Sequence, residues 1–289
     1  MEEQELSGIL TRNVCDPANS FDCIVSSGRF ERGITFVADT LPESASCKKN
    51  SQAWAFNDYI LSRYWSPEDG VDRELSEPST DGDNQISQLT YGEVTPLGVR
   101  QLASEMGIID CNSESSKNSK RDVVFYDMGS GVGRLVTQMY FDQPDRVARA
   151  IGIELAEERH TIGSIALEGI LSEEKYMSEN FHSPFEDDED TSSKSVSEAF
   201  PIQLVHGDVL NEDIDPATTH VYISSLCFPK DVLLVLQEKL LRLPNIRVVA
   251  ALNRLDLLHE LGKEQWEERD TFIQMSWGDS MAKIYHKVG

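Results

Sequence analysis

The sequence predicts an α/β fold: a mostly parallel seven-stranded sheet closed by a C-terminal antiparallel hairpin and preceded by a small helical region. Three observations predict it. First, the strand-like run Val123–Tyr126 enters the glycine turn Asp127-Met128-Gly129-Ser130-Gly131-Val132-Gly133, and Arg134–Tyr140 then reads as the start of a helix. Strand, glycine turn, helix is the opening unit of a doubly wound sheet. Second, Val147–Glu154 is another apolar strand, one strand–helix–strand unit further on, and it ends in a carboxylate. Third, strand-like segments at 201–205, 219–226 and 246–252 alternate with helical patterns, and 272–288 reads as two extended runs about a Gly-Asp-containing turn.

Taken in order, residues 1–50 show weak periodicity, with Gly33–Ala38 as a candidate short strand, and predict a poorly ordered lead-in. The region 51–110 is helical. Trp54, Phe56, Tyr59, Ile60 and Tyr64 recur at helical spacing behind the candidate cap Ser51, which suits a helix packed on the sheet. The stretch 66–88 is rich in Ser, Asp, Gly and Pro and reads as a linker. Thr95 then caps a helix with Pro96 in its first turn and Leu97, Val99, Leu102, Ala103 and Met106 on its apolar side. That helix precedes the first sheet strand, so Tyr91-Gly92-Glu93 is expected beside the ligand site.

Residues 111–121 form a polar loop before the sheet domain, 121–289. After Glu154 a helix is expected to about 178, its intermittent apolar face carrying Ala156, Ile162, Ile165, Ala166, Ile170 and Leu171. The segment 179–199 contains the run Glu186-Asp187-Asp188-Glu189-Asp190, which cannot pack. It reads as a solvated, mobile insertion, with a functional acidic patch as the alternative. Lys230–Leu241 is an amphipathic helix on Val232, Leu233, Val235, Leu236 and Leu240.

The 289 residues carry 50 acids and 26 basic side chains, a net charge of -24. Such a chain is repelled by bare nucleic acid and anionic membranes, so neither is an expected partner. The charge serves solubility or favours a basic protein partner. No apolar run approaches the roughly 20 residues of a membrane span. The acidic N-terminus lacks a signal-peptide core. The five cysteines are scattered without metal-site spacing, which points to a reducing, intracellular compartment and to no metal.

Glycines let the chain turn sharply and let a ligand approach the backbone, and amides at the helix start face an anionic group. A hydride-transfer fold would place G-x-G-x-x-G directly after the strand. Here the acid comes first, and Asp127 to Gly133 resembles motif I of class I S-adenosylmethionine (SAM) methyltransferases. That resemblance implies SAM as cofactor, with Asp127, Gly129, Ser130, Gly131 and Gly133 around it. Glu154, at the end of the second strand, is placed to accept hydrogen bonds from both ribose hydroxyls. Gly207-Asp208-Val209 follows the third strand, where such enzymes hold the adenine amine.

A narrower resemblance rests on Tyr91-Gly92-Glu93, Asp127–Gly133, Gly152-Ile153-Glu154, Gly207-Asp208-Val209, Ile223–Phe228 and Ser276-Trp277 with Tyr285. In that order they resemble the disruptor-of-telomeric-silencing family of non-SET histone lysine methyltransferases. The resemblance covers about residue 50 to 289. It implies in-line methyl transfer to a lysine amine of a histone or nucleosome in the nucleus. Glu93 would be a further cofactor contact, Tyr91, Ser224, Phe228 and Tyr285 would serve at the catalytic end, and Trp277 would join them as a channel wall. Core packing is the competing reading for the aromatic residues among these. The chain departs from the family at Ser224 and Ser225, where it has paired asparagines, at Arg134, where it commonly has glutamine, and at Val209, where it has an aromatic. The departures keep a second reading open, a methyltransferase for a non-histone protein or a small molecule. A third, a catalytically silent interaction module, is opposed by the intact Asp127–Gly133, Glu154 and Asp208.

Overall fold

The computed structural model describes Trp54 and residues 57–65, 92–109, 121–180, 201–261 and 264–288, with side chains of the 173–180 stretch excepted. The expected lead-in at 1–50, the linker, Tyr91 and nearly all of the acidic insertion lie outside these residues.

Seven strands form one sheet in the order β3-β2-β1-β4-β5-β7-β6. They are β1 (Val123–Met128), β2 (Val147–Glu154), β3 (Ile202–His206), β4 (His220–Ile223), β5 (Val248–Ala251), β6 (Trp266–Met275) and β7 (Gly278–Lys287). The first five pair in parallel, and β7 returns antiparallel between β5 and β6. This is the α/β arrangement that the sequence predicts, a mostly parallel seven-stranded sheet closed by an antiparallel hairpin. Strand order reverses at β1, whose neighbours are β2 and β4, so the crevice beyond the carboxyl ends of these strands is the natural ligand position.

The helices of the described residues include α1 (Pro96–Glu105), α2 (Arg134–Asp142), α3 (Glu157–Asn180), α4 (Lys230–Leu241) and α5 (Asp256–Leu261). A short helical stretch at 57–62 precedes them. Thr95 caps α1 as expected, its Oγ1 accepting from Gly98 N at 3.1 Å. Every residue of β1 is buried, as a central strand covered on both faces requires. Val123 and Phe125 face one core with Leu97, Leu102, Val136 and Met139. Val124, Tyr126 and Met128 face the other with Leu233, Leu236, Leu240 and Leu258. None of the described helices is long and apolar enough to cross a membrane.

Four details differ from expectation. β4 stops at Ile223 rather than Leu226, and Ser225–Cys227 turns into a 3-10 helix. The reason is local: Ser225 Oγ accepts from Asn253 N at 2.7 Å and Ser225 O from Asn253 Nδ2 at 2.8 Å, which draws the chain out of the ladder. The hairpin turn lies at Ser276-Trp277, because Met275 pairs with Gly278 at the end of a register in which Lys283 bridges Asp270 and Glu268. Ile165 and Val235 face solvent, at 66% and 45% exposure. The six-residue α5 was not foreseen.

A buried charge cluster ties Trp54, Asn57 and Asp58 to α1 and α2. Arg100, fully buried, donates to both oxygens of Asp58 at 2.8 and 2.6 Å and to Trp54 O at 3.1 Å. Its Nε lies 2.9 Å from Asp142 Oδ2. Asp142 also accepts from Asn57 and Gln138 at 3.0 Å each. Removing one member of such a cluster strands the others as unpaired buried charge. Arg100→Leu is therefore expected to lower unfolding free energy by roughly 3–5 kcal/mol, measured by denaturant titration. Asp58→Asn is expected to cost less, because it leaves Arg100 with Asp142.

Candidate functional site

A cavity of about 220 Å³ opens at the carboxyl ends of β1, β2 and β4. Gly129, Ser130 and Gly131 of the glycine turn form one wall, Glu154 and Leu155 at the end of β2 another, and Gly207 to Leu210 after β3 a third. Ser224, Cys227, Phe228 and Pro229 follow β4 and face the opening together with Tyr222. Gly92, Glu93 and Val94 bring the loop ahead of α1 onto the cavity, with Arg134 and Leu135 from the start of α2.

The turn is built by hydrogen bonds from two strands. Gly129 N and Ser130 N both donate to Ile153 O, at 3.0 and 2.9 Å. Glu154 accepts from Gly131 N at 2.7 Å through one carboxylate oxygen and from Ala156 N at 2.9 Å through the other. A carboxylate has about four acceptor positions, so Glu154 keeps two for a ligand. Gly152 is required beneath this arrangement, since a Cβ there would sit 2.7 Å from Ser130 Cβ and Oγ.

Asp127 lies under the turn, 2% exposed, and its Oδ1 has no hydrogen-bond partner. Burial, and then the neighbouring Glu154 carboxylate, push it up to about 8. Tyr222 pairs with Asp127 in the β1–β4 register and lines the same cavity. Its hydroxyl lies beside Ser224 without a well-formed hydrogen bond, and burial followed by Asp127 drives its ionisation upward. The Asp208 side chain closes its own turn, accepting from Leu210 N at 2.9 Å and Asn211 Nδ2 at 2.8 Å, while lining the cavity with Val209.

Of the residues singled out from sequence, the structure brings Glu93, Asp127, Gly129, Ser130, Gly131, Glu154, Asp208, Val209, Ser224 and Phe228 to this one cavity. Phe228 lies over Gly129. Tyr91 lies outside the described residues. Two placements correct the sequence reading. Tyr285 is not a wall: it is fully buried in the core with α4 and α5, its hydroxyl accepting from Leu255 N at 2.9 Å. Gly133 does not reach the cavity: it caps α2 with φ 75, and a Cβ there would meet Leu204 at 2.6 Å. Trp277 also stands outside the walls, half-exposed, its ring pressed on Gly92 so closely that a Cβ on Gly92 would fall 1.6 Å from the ring.

Sequence reasoning missed Tyr222, Arg159 and Arg134 as site residues. Tyr222 was legible by strand alternation, two residues before Ser224. Arg134 stood out as a departure but had no assigned ligand. Among the described residues no group of three or more His, Cys, Asp or Glu could hold a metal ion.

No protein-family model matches the chain, and no curated protein matches it. Solved structures similar to it include an RNA methyltransferase from Salinibacter ruber in complex with S-adenosylhomocysteine. That match has 16% identity over 65% of this chain and 88% of that one, TM-score 0.39. Magnesium protoporphyrin IX methyltransferase from Synechocystis, also with bound S-adenosylhomocysteine, matches at 11% identity over 80% and 100%, TM-score 0.43. A Streptococcus pneumoniae protein described as a putative tRNA (m1A22) methyltransferase matches at 14% identity, TM-score 0.39, over 60% of this chain. The present chain spans 66% of its length.

The carboxyl of Asp127 yields a pH prediction. It ionises near 3.8 in the unfolded chain and at about 8 in the folded one, so between these values the folded state holds the extra proton. Its contribution is full at low pH and is lost as pH rises through that window. Melting temperature of the wild type should fall with pH across it more steeply than that of Asp127→Asn. Parallel curves would show that Asp127 ionises normally.

Proposed function

We propose that this chain is a SAM-dependent N-methyltransferase whose acceptor is a non-histone protein or a small molecule. The observation that carries the reading is the convergence, in one cavity, of the unpartnered Asp127 Oδ1 and the two spare acceptor positions of Glu154. The residues fit the cofactor. A buried carboxylate oxygen without a donor suits an ammonium group, the spare positions on Glu154 suit a vicinal diol, and Val209 and Leu210 offer apolar surface for a purine. SAM, when bound, supplies a methyl group on a sulfonium, an electrophile that needs no metal.

The protein's part is alignment and exclusion of water. Phe228, Pro229 and Val232 make the opening apolar beside Tyr222 and Ser224. An amine entering such a place is favoured in its neutral, nucleophilic form, because desolvation disfavours the ammonium. Ser224 presents a short hydroxyl where an asparagine would reach further with a carbonyl oxygen. That difference, and a net charge of -24 that opposes docking on DNA-wrapped particles, favour an acceptor other than a nucleosomal histone. A basic protein remains compatible with the charge.

Tritiated SAM offered with nucleosomes, free histones, cell-extract protein and an extract small-molecule fraction separates the readings. Label is expected in extract protein or small molecules. Label confined to a histone lysine would restore the histone reading, and SAM binding without transfer to any fraction would indicate an interaction module. Glu154→Ala is expected to weaken SAM binding about tenfold or more, since ribose hydroxyls lose a charged acceptor. Unchanged affinity by calorimetry would remove the ribose assignment. Ser224→Asn should leave SAM affinity unchanged, and a fall in transfer to the native acceptor would show that the small hydroxyl shapes the acceptor channel.

A further inference from the structure

We propose that Lys239, in the last turn of α4, is a positioning residue: its ammonium holds the turn after β3 in the shape that lines the cavity, and through that turn it sets the ligand's base preference. The inference rests on the cofactor reading above and assigns the stiffness of one cavity wall to a side chain that reaches it from α4. Lys239 Nζ donates to three backbone carbonyls of this turn, Val209 O at 3.0 Å, Leu210 O at 2.7 Å and Glu212 O at 2.8 Å. An ammonium has three donors, so all of them are used on one short stretch of backbone.

Asp208 closes the other end of the same stretch. Its carbonyl accepts from Asn211 N at 2.8 Å and Glu212 N at 2.9 Å, and its Oδ1 accepts from Leu210 N at 2.9 Å. A single helical turn leaves amides at its start and carbonyls at its end without internal partners. Here Asp208 takes the amides and Lys239 takes the carbonyls. The turn also lies tight against the end of β3, where a Cβ on Gly207 would fall 2.7 Å from Glu212 Cγ.

This division of partners decides what the wall presents. The Val209 and Leu210 carbonyls are engaged by the ammonium, and the Leu210 amide by Asp208. The Asp208 carboxylate uses one position for Leu210 N and one for Asn211 Nδ2, which leaves acceptor positions beside the apolar Val209 and Leu210 side chains that line the cavity. Acceptors next to an apolar surface suit a purine bearing an amino group and oppose one bearing a carbonyl in its place. Without the ammonium, three carbonyls lose a charged donor at once and must turn toward water. The wall then loosens, and affinity and the preference for the amino purine fall together.

Lys239→Met keeps the aliphatic stem and removes the ammonium, whereas Lys239→Arg keeps charged donors. Hydrogen exchange on the full chain, followed by mass spectrometry, reads the turn without a ligand. In Lys239→Met, exchange over 210–212 is expected to rise about tenfold or more, with β1 and β2 exchanging as in the wild type. Calorimetry then uses two probes that differ only in the base, S-adenosylhomocysteine and S-inosylhomocysteine. The wild type should prefer the first. Lys239→Met should weaken the first about tenfold and the second by much less, and Lys239→Arg should recover part of the loss. Unchanged exchange over 210–212 overturns the assignment. Equal weakening of the two probes also overturns it, as the mark of a general loss of stability. In both cases the cofactor reading stands. A wild type that does not bind S-adenosylhomocysteine removes the cofactor reading and the assignment with it.

Discussion

The Glu154 carboxylate joins the two turns on which the site is built. One oxygen accepts from Gly131 in the turn after β1, the other from Ala156 at the start of the chain leading into α3. The Gly129 and Ser130 amides meanwhile turn back to Ile153 O, one residue before it. Parallel strands β1 and β2 therefore end in a single hydrogen-bonded unit rather than in two separate loops. The unit demands Gly152 below Ser130, and it places the Glu154 charge beside Asp127. Burial pushes the Asp127 carboxyl upward, and the Glu154 carboxylate placed beside it adds to that push.

The other side of the cavity depends on the β6–β7 hairpin. Loop 92–95 is laid along the end of β6: Val94 bridges Met275, and Thr95 N donates to Gln274 O at 3.0 Å. Gln101 Oε1 accepts from Gln274 N at 2.9 Å, and the Trp277 ring rests on Gly92. A wall contributed early in the sequence is thus shaped by a hairpin near residue 275. Such a wall is expected to be unformed until the C-terminal hairpin has joined the sheet.

These contacts explain what the sequence could and could not show. Local patterns were legible: the Thr95-Pro96 start of α1, the apolar run of β2 and the spacing of α4 depend on neighbours along the chain. The glycine turn and Glu154 were legible as a pair because each sits at a fixed offset from a strand end. Tyr285 was misplaced because an aromatic near a strand end has the same local signature whether it faces a cavity or a core. Only the pairing of β7 with β5 and the amide of Leu255 decide for the core. Gly133 looked like a ligand contact because it belongs to the glycine series, yet its positive φ serves the entrance to α2. The early end of β4 was hidden because Asn253, which diverts it, lies one helix and one strand away.

Two buried acidic sites show opposite solutions to the same cost. Around Arg100 the charges are closed on one another: Asp58 and Asp142 share the guanidinium, and Asn57 and Gln138 take further oxygens. Burial alone would raise the Asp58 carboxyl, and Arg100 opposes the rise. Such a cluster serves to fix Trp54, Asn57 and Asp58 on α1 and α2. Asp127 is as deeply buried but has no cation beside it, and its nearest charge, Glu154, has the same sign. Burial and the like-charged neighbour favour the protonated carboxyl there, so its contribution to stability falls as pH rises. A positive charge brought beside Asp127 would oppose that upward push on the carboxyl and favour its ionised form. The Arg100 cluster satisfies its charges within the protein, whereas the Asp127 carboxyl is left with burial and a like-charged neighbour.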